Sequence, residues 1–253
     1  MPAIERRAIL GVHVDATSYA DAMERILMWA CNGESRSVCL GVVASVMEAL
    51  DSPRYRAALE AADLVTPDGM PLVWMLRRLG VRSASRVYGP DLTVAVLERA
   101  QAARIPVGFY GSTRTVLERL ERNLRSRFPL LDIAFVESPP FRELTQEEDE
   151  ATVRMIDVAR VRILFVGLGG GKQDLWIAEH RGRVRAVMLG VGAAFDFLAG
   201  TKPQAPLWMQ RSGLEWLFRL ATEPRRLWRR YLHHNPRFVV LALAQILRAR
   251  YEV

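Results

Sequence analysis

Cysteine is scarce. The 253-residue chain has two, Cys31 and Cys39. They make no metal-ligand spacing and no disulfide framework, and fit a reduced cytoplasmic setting. Histidine is scarce as well: His13, His180, His233 and His234 form neither H-x-x-x-H nor H-E-x-x-H. No D-x-D triplet occurs, so the usual acid pair for a divalent ion beside a sugar nucleotide is missing, and no metal is expected. The opening stretch MPAIERRAILGV has no long apolar core, so no signal peptide is expected. The most apolar late run, FVVLALAQIL from Phe238 to Leu247, is far short of the ~20 residues that span a bilayer. It suits a buried helix or one lying against a membrane surface. Low-complexity tracts and solenoid repeats are absent.

What remains is an ordinary globular composition, half hydrophobic and a quarter charged, at a length suiting one large domain or one domain with an appendage. Lysine occurs only at Lys172 and Lys202, so arginine carries the positive charge. That charge is concentrated. From Lys202 onward there are ten basic and three acidic side chains, which account for the whole net charge of +7. A neutral body with a basic end points to an anionic partner at that end: nucleic acid, anionic lipid headgroups or a diphosphate.

Short β-rich apolar runs alternate with helical patterns up to Gly200. RAILGVHV, SVCLGVV, DLVTP, IPVGFYG, LLDIAFVES, VRILFVGLG and VRAVMLGVG read as strands. YADAMERILMWA, VMEALDSPRYRAALEAA with a break near Pro53, PLVWMLRRLG, DLTVAVLERAQAA, RTVLERLERNLRSRF, TQEEDEATVRMIDVAR and QDLWIAEHRG read as helices. Such alternation predicts an α/β fold, a parallel sheet with helices on both faces. After Gly200 the chain reads as helical, punctuated by Pro203, Pro206, Pro224 and Pro236. Residues 1–202 are read as an α/β core and 203–253 as a basic helical C-terminal appendage.

In such a sheet ligands gather at the carboxyl ends of strands. TPDG places Asp68 there, as a catalytic acid–base group or simply half of an Asp-Gly turn. FYGST leaves Gly111 at a strand end, and VGLGGGKQD leaves Gly167, Gly169, Gly170, Gly171, Lys172 and Gln173. The glycine run matches neither a dinucleotide fingerprint nor a P-loop, because Lys172, Val166 and Gln173 stand where those motifs need other residues. Bare backbone N–H groups at a helix start beside one lysine still favour a phosphate, the alternative being a tight strand-to-helix turn. Asp196, flanked by Phe195 and Phe197, needs a partner: a base, a hydroxyl or a backbone turn. In EPRRLWRRYL, Arg225, Arg226, Arg229 and Arg230 repel one another unless an anion sits among them, or they form a solvated helix face with Trp228 packing inward. Arg219, Arg226 and Arg230 share one helical face only if the helix continues through Pro224. The interleaved Trp208, Trp216, Phe218, Trp228 and Tyr231 suit core packing or a membrane-interface belt.

The stretches ADLVTPDGMPLVW, RVYGPDL, VGLGGGKQD, GVGAAFDFLAGTKPQAPLWMQRSGLEWLFRLATEPRRLWRRYL and NPRF resemble the WecG/TagA/CpsF glycosyltransferases. The resemblance implies a Rossmann-like core with a C-terminal appendage that contacts the membrane and completes the site. It implies an inverting, metal-independent transferase with no cofactor. Such an enzyme moves a sugar from a UDP-sugar to a polyprenyl-diphosphate-linked sugar at the cytoplasmic face of the inner membrane, as a peripheral protein. The products are surface polysaccharides of the exopolysaccharide or teichoic acid type. By motif, Asp68 matches the general base and Arg86 an arginine near the donor diphosphate. Gln173 and Asp196 match positions near the nucleotide, in a cleft lined by Gly111 and Gly167, and Gly169 and Lys172 belong to the same donor-side run. Arg219, Arg226 and Arg229 or Arg230 match the basic residues proposed to hold the acceptor diphosphate against an anionic membrane surface. Leu40 and Val42 stand where the family usually has Thr-x-Asn near the donor sugar, and Gly171-Lys172-Gln173-Asp174 stands where it usually has PKQE. Those departures leave a second reading, a non-catalytic UDP-sugar or lipid-diphosphate binding protein on the same scaffold. No nucleic-acid motif appears, so no nucleic-acid partner is expected. Oligomeric state, a homo-oligomer included, is open.

Overall fold

A computed structural model describes residues 4 to 251. In chain order the elements are β1 (Arg6–Ile9), β2 (Val12–Asp15), α1 (Tyr19–Cys31), β3 (Arg36–Gly41), α2 (Val43–Asp51), α3 (Pro53–Glu60), β4 (Leu64–Pro67), α4 (Met70–Arg78), α5 (Gly89–Ala103), β5 (Val107–Gly111), α6 (Arg114–Arg127), β6 (Ile133–Glu137), α7 (Gln146–Val158), β7 (Ile163–Gly167), α8 (Gly171–His180), β8 (Val187–Gly190), α9 (Ala194–Leu198), α10 (Leu207–Arg211), α11 (Glu215–Thr222) and α12 (Pro224–Tyr251). Strands β4-β3-β8-β7-β5-β6 form one six-stranded sheet in that order, and each adjacent pair from β3 across to β6 is parallel. The expected Rossmann-like α/β arrangement is present.

One strand expectation fails. Arg7–Val14 folds as an antiparallel hairpin, with Ile9 opposite Val12. Leu10 and Gly11 take φ of 49° and 80°, a left-handed pair that fits a tight two-residue hairpin turn. Other boundaries follow local chemistry. Ser52 ends α2, and its hydroxyl accepts from the Tyr55 N–H to cap α3, whose first residue is Pro53. Thr145 and Glu148 close a reciprocal capping box at the start of α7. Pro224 opens a new helix after α11 ends at Thr222, so Arg219 lies on α11 while Arg226, Arg229 and Arg230 lie on α12. The uninterrupted face through Pro224 does not form.

The chain divides into two compact units. One holds Tyr19–Cys39 and Gly89–Pro203. Its strands alternate sides with period two. On one side Tyr110, Leu164, Val166 and Met188 pack with Ile156 of α7 and Ile177 of α8. On the other, Phe109 stacks on Phe165 with ring centres 5.3 Å apart and meets the edge of Phe195 at 5.6 Å. Helices therefore cover both faces. The glycines that end β5 and β7 are required here. A Cβ on Gly111 would lie 2.6 Å from the Gly167 carbonyl carbon, and one on Gly167 would lie 2.6 Å from the Phe195 ring. The second unit holds the chain up to Ser18, Leu40–Tyr88, and the chain from Gln204 on. Asp15 is buried at its centre, pairing with Arg6 and accepting the Val65 N–H at 2.7 Å. In α12, Leu227, Phe238 and Ala242 turn inward, while Trp228 is 45% exposed. The inward residue at that turn is Leu227, not Trp228.

Gly111 also has φ of 119°, so Gly111→Ala meets both backbone strain and a rigid backbone neighbour. It should destabilise the fold by about 1–3 kcal/mol, read as a lower urea midpoint. A parent-like midpoint would show that the two strand ends can part.

Candidate functional site

Asp68 follows β4 directly, and its place is fixed by the main chain. Its N–H and that of Gly69 both donate to the Gly41 carbonyl, at 2.9 and 3.3 Å. The residue after Gly41 is Val42, which precedes α2 and donates its N–H to the Ser45 hydroxyl at 3.4 Å. Leu40 is buried. The exit of β3 is thus apolar in its side chains, as its sequence implied, and Ser45 supplies the polar group there.

Arg86 reaches Asp68 from the segment before α5. Its Nε donates to the Asp68 carbonyl oxygen, and its Nη2 lies 3.3 Å from Asp68 Oδ1. The same Nη2 lies 2.5 Å from Glu215 Oε2 at the start of α11, and Nη1 lies 3.4 Å from the Gln210 carbonyl oxygen. Tyr88 completes the group. Its hydroxyl donates to Glu215 Oε1 at 3.1 Å, and the Arg86 guanidinium lies 4.1 Å from the centre of its ring. The Asp68, Arg86 and Glu215 side chains are each about one-seventh exposed, at 14%, 16% and 15%. Burial works against the charge on Arg86, but Asp68 and Glu215 outweigh it and hold its pKa above the ordinary value. Burial first, then the two carboxylates, push the Tyr88 hydroxyl well above the usual tyrosine range, so it stays a donor. A partly exposed carboxylate beside a guanidinium at a strand exit can take a proton from a substrate hydroxyl. Sequence reasoning found Asp68 and Arg86 but missed Tyr88 and Glu215. Tyr88 was legible two residues after Arg86 in RVYG. Glu215 is one of three acids in the basic C-terminal segment.

The other basic residues of this unit spread around it. Arg226 is paired with Glu223 at 2.6 Å, while Arg225 and Arg229 are exposed. Arg230 is half-buried and acts on Glu48, whose carboxyl is raised by burial and only partly brought back by that arginine. The Nε atoms of Arg219 and Arg230 are buried without a hydrogen-bond partner. The side chains of Arg250 and Glu252 lie outside the described residues. Among the described residues one group could contact a common ion: Asp51, His233 and His234, with ligand atoms within 4.8 Å of one another. Arg237 already occupies it, donating to both Asp51 oxygens at 2.8 Å and lying 2.9 Å from His233 Nε2. That cluster is therefore an ion-pair clasp between α2 and α12.

The donor-side candidates belong to the other unit. Gly111 and Gly167 are accounted for by packing, whereas a Cβ on Gly169 or Gly170 would meet open space. Gly170 precedes α8 and no side chain caps that helix start; Lys172, in its first turn, is exposed. Gln173 is buried with its Oε1 unpartnered. It packs against the backbone at the end of β8, since a Cβ on Gly190 or Gly192 would lie 3.1 and 3.2 Å from its amide atoms. An orphaned buried acceptor beside bare glycine backbone fits an N–H of a planar ligand. Asp196 is spent locally: its oxygens take the Thr201 hydroxyl at 3.1 Å and Lys202 Nζ at 2.9 Å. Among the described residues no helix is long and apolar enough to cross a membrane.

The model of the glycosyl transferase WecG/TagA/CpsF family matches residues 7–252. The chain is 32% identical over 197 residues to an N-acetylglucosaminyldiphosphoundecaprenol N-acetyl-beta-D-mannosaminyltransferase of Bacillus spizizenii, covering 78% of this chain and 74% of that protein. It is 29% identical over 225 residues to the Staphylococcus aureus protein of the same name, covering 87% and 86%.

The Asp51–Arg237 clasp makes a pH prediction. Hydrogen bonding to Arg237 holds the Asp51 carboxyl down at about 2. A depressed carboxylate stabilises the fold above its unfolded pKa of about 3.9 and loses that contribution as pH falls through its folded value. Asp51→Asn should therefore lower the urea midpoint near neutrality. The gap from the parent should narrow below about pH 4. A gap unchanged down to acid pH would show that Asp51 stabilises by some other route.

Proposed function

The chain belongs to the WecG/TagA/CpsF glycosyltransferase family, and from that premise we propose that it is an inverting, metal-independent transferase. In this reading it moves a sugar from a UDP-sugar to a polyprenyl-diphosphate-linked sugar. That it is a glycosyltransferase of polysaccharide biosynthesis follows from the family; donor, stereochemistry, acceptor and location are the proposal. The observation that carries it is Asp68, whose backbone N–H is held by the Gly41 carbonyl at a strand exit and whose carboxylate is partly open beside Arg86.

In the proposed step an acceptor hydroxyl oxygen attacks the anomeric carbon of the donor sugar. Asp68 takes the hydroxyl proton as the new C–O bond forms. The bond to the nucleotide diphosphate breaks on the opposite side, and UDP leaves with the electron pair, inverting the centre. In the proposal the leaving charge is met by backbone N–H groups at the α8 start and by Lys172 in place of a metal, because Arg86 is taken up by Asp68 and Glu215. For the donor, the supporting observations are the orphaned Gln173 Oε1 beside Gly190 and Gly192, suited to an N–H of the nucleotide base, and the uncapped α8 start beside Lys172. For the acceptor, support comes from the arginines of α11 and α12.

We assign residues 203–253 the role of a membrane-facing appendage at the cytoplasmic face of the inner membrane. Leu207, Trp208, Trp216 and Leu217 are exposed there, as are Leu232, Val239, Leu243 and Leu247 along α12. The latter four recur at helical spacing on a face turned from that of Phe238 and Ala242. Exposed tryptophans beside exposed arginines suit an anionic bilayer surface.

Asp68→Asn should lower transfer to a polyprenyl-diphosphate-linked acceptor by about a hundredfold, assayed with a panel of UDP-sugars in chelator, with an unchanged circular dichroism spectrum. Retained activity would remove Asp68 from the mechanism, and activity seen only with added divalent ions would overturn the metal-free step. Flotation with phosphatidylglycerol vesicles tests the surface separately: Arg225→Glu with Arg229→Glu should lose most binding. Equal flotation of parent and variant would mean that these arginines do not meet the membrane.

A further inference from the structure

Arg86 is almost fully engaged. Nε serves the Asp68 carbonyl, Nη1 the Gln210 carbonyl, and Nη2 is divided between Asp68 Oδ1 and Glu215 Oε2. The division is unequal, 3.3 Å to Asp68 against 2.5 Å to Glu215. Glu215 is also fixed at its other oxygen by the Tyr88 hydroxyl. Arg86 Nη2 and the Tyr88 hydroxyl thus hold Glu215 at both of its oxygens, and Nη2 is the atom it shares with Asp68.

The arrangement has a consequence for proton transfer. A carboxylate with a guanidinium to itself becomes a weak base, its pKa falling by roughly 1–3 units. A guanidinium shared with a nearer second carboxylate withdraws less basicity from the first. We propose that Glu215 is a positioning residue for the Asp68 site: it draws Arg86 toward itself and offsets its charge, so that Asp68 stays ionised yet basic enough to accept a proton. This rests on the reading of Asp68 as the general base. A bland role competes with it, since an acid in the first turn of a helix is favoured by the helix dipole, and Glu215 would then merely tie α11 down.

Other charged groups on the neighbouring elements do not blur the distinction. Arg77 and Arg78 end α4, Arg211 ends α10, Arg219 lies on α11, and Arg226 and Arg230 lie on α12. Arginines keep their charge throughout the accessible pH range, and Arg226 is committed to Glu223. His233 and His234 of α12 sit against Asp51. Tyr88 is held protonated. Glu48 of α2 faces Arg230, and Asp68 and Glu215 are the two carboxylates bonded to Arg86.

Glu215→Gln keeps the shape and one acceptor for Arg86 but removes the charge. The pH profile of kcat/KM should then show its acid limb moved down by about one unit. The plateau should fall roughly three- to tenfold, as expected for a weaker base. Glu215→Asp, one methylene shorter with its charge intact, should fall between parent and Glu215→Gln. Folding is checked by circular dichroism and the urea midpoint. A merely structural Glu215 would move the urea midpoint and leave the acid limb in place, which overturns the proposal. Should Glu215→Gln not fold, an unmoved limb in Glu215→Asp overturns it equally. The parent reading fails separately, if Asp68→Asn remains active; an inactive Asp68→Asn with a parent-like profile in both Glu215 variants removes only the role given to Glu215.

Discussion

A guanidinium taken largely out of water must have its charge answered where it sits, because an unpaired buried charge costs far more than any single contact returns. Arg86 meets that constraint with two carboxylates, two carbonyl oxygens and an aromatic face. The carbonyls matter as much as the acids. Asp68 offers both its main-chain oxygen and its side chain, so the arginine grips the strand exit itself and not just a flexible carboxylate. Gln210 and Glu215 come from α10 and the start of α11, so the same guanidinium fixes the C-terminal segment to Asp68. Removing Arg86 would leave two half-buried acids facing each other, which explains why the network is built around a residue that cannot lose its proton.

The basic C-terminal segment looks alarming as a list of like charges, yet the fold disperses them. Arg226 turns back to Glu223, Arg237 reaches Asp51, and Arg230 acts on Glu48. Pro224 separates Arg219 from the others by ending one helix and opening the next. Surface pairs of this kind contribute little stability each. Their effect is to thin the positive field locally and leave exposed Arg225 and Arg229 beside Trp228. The same helix hides Leu227, Phe238 and Ala242 and exposes a helical row of aliphatic side chains. Its packing and its surface chemistry are therefore assigned to different faces.

Much of the core was legible in the sequence because buried parallel strands read as continuous apolar runs. The hairpin at Leu10 and Gly11 was not, since one apolar run hides two strands when the turn contains a leucine with positive φ. The glycine run was half legible. Gly111 and Gly167 are explained by a backbone approach and by the Phe195 ring, contacts made between distant segments that no local pattern encodes. Asp68 could be seen as a strand-end acid, and Asp196 as an acid needing a partner. That the partner is Lys202 and Thr201 was close in sequence but required the turn after α9 to bring it round. Glu215 was invisible for a different reason: its meaning comes from Arg86, more than a hundred residues earlier.

The charge around Arg86 differs in sign from that along α12. Inside, around Arg86, carboxylates outnumber guanidiniums by one, since Asp68 and Glu215 share a single cation. Outside, on α11 and α12, guanidiniums are in excess. The two zones ask for opposite things from a ligand. An inner network with surplus negative charge favours taking up a proton and disfavours a second anion, which agrees with the neutral hydroxyl proposed to meet Asp68. An outer surface with surplus positive charge favours a diphosphate or an anionic headgroup. A lipid-linked sugar carries both groups, a neutral hydroxyl on the sugar and an anionic diphosphate toward the lipid. Its polarity runs in the same sense as the sorting of charge from the inner network to the outer helices.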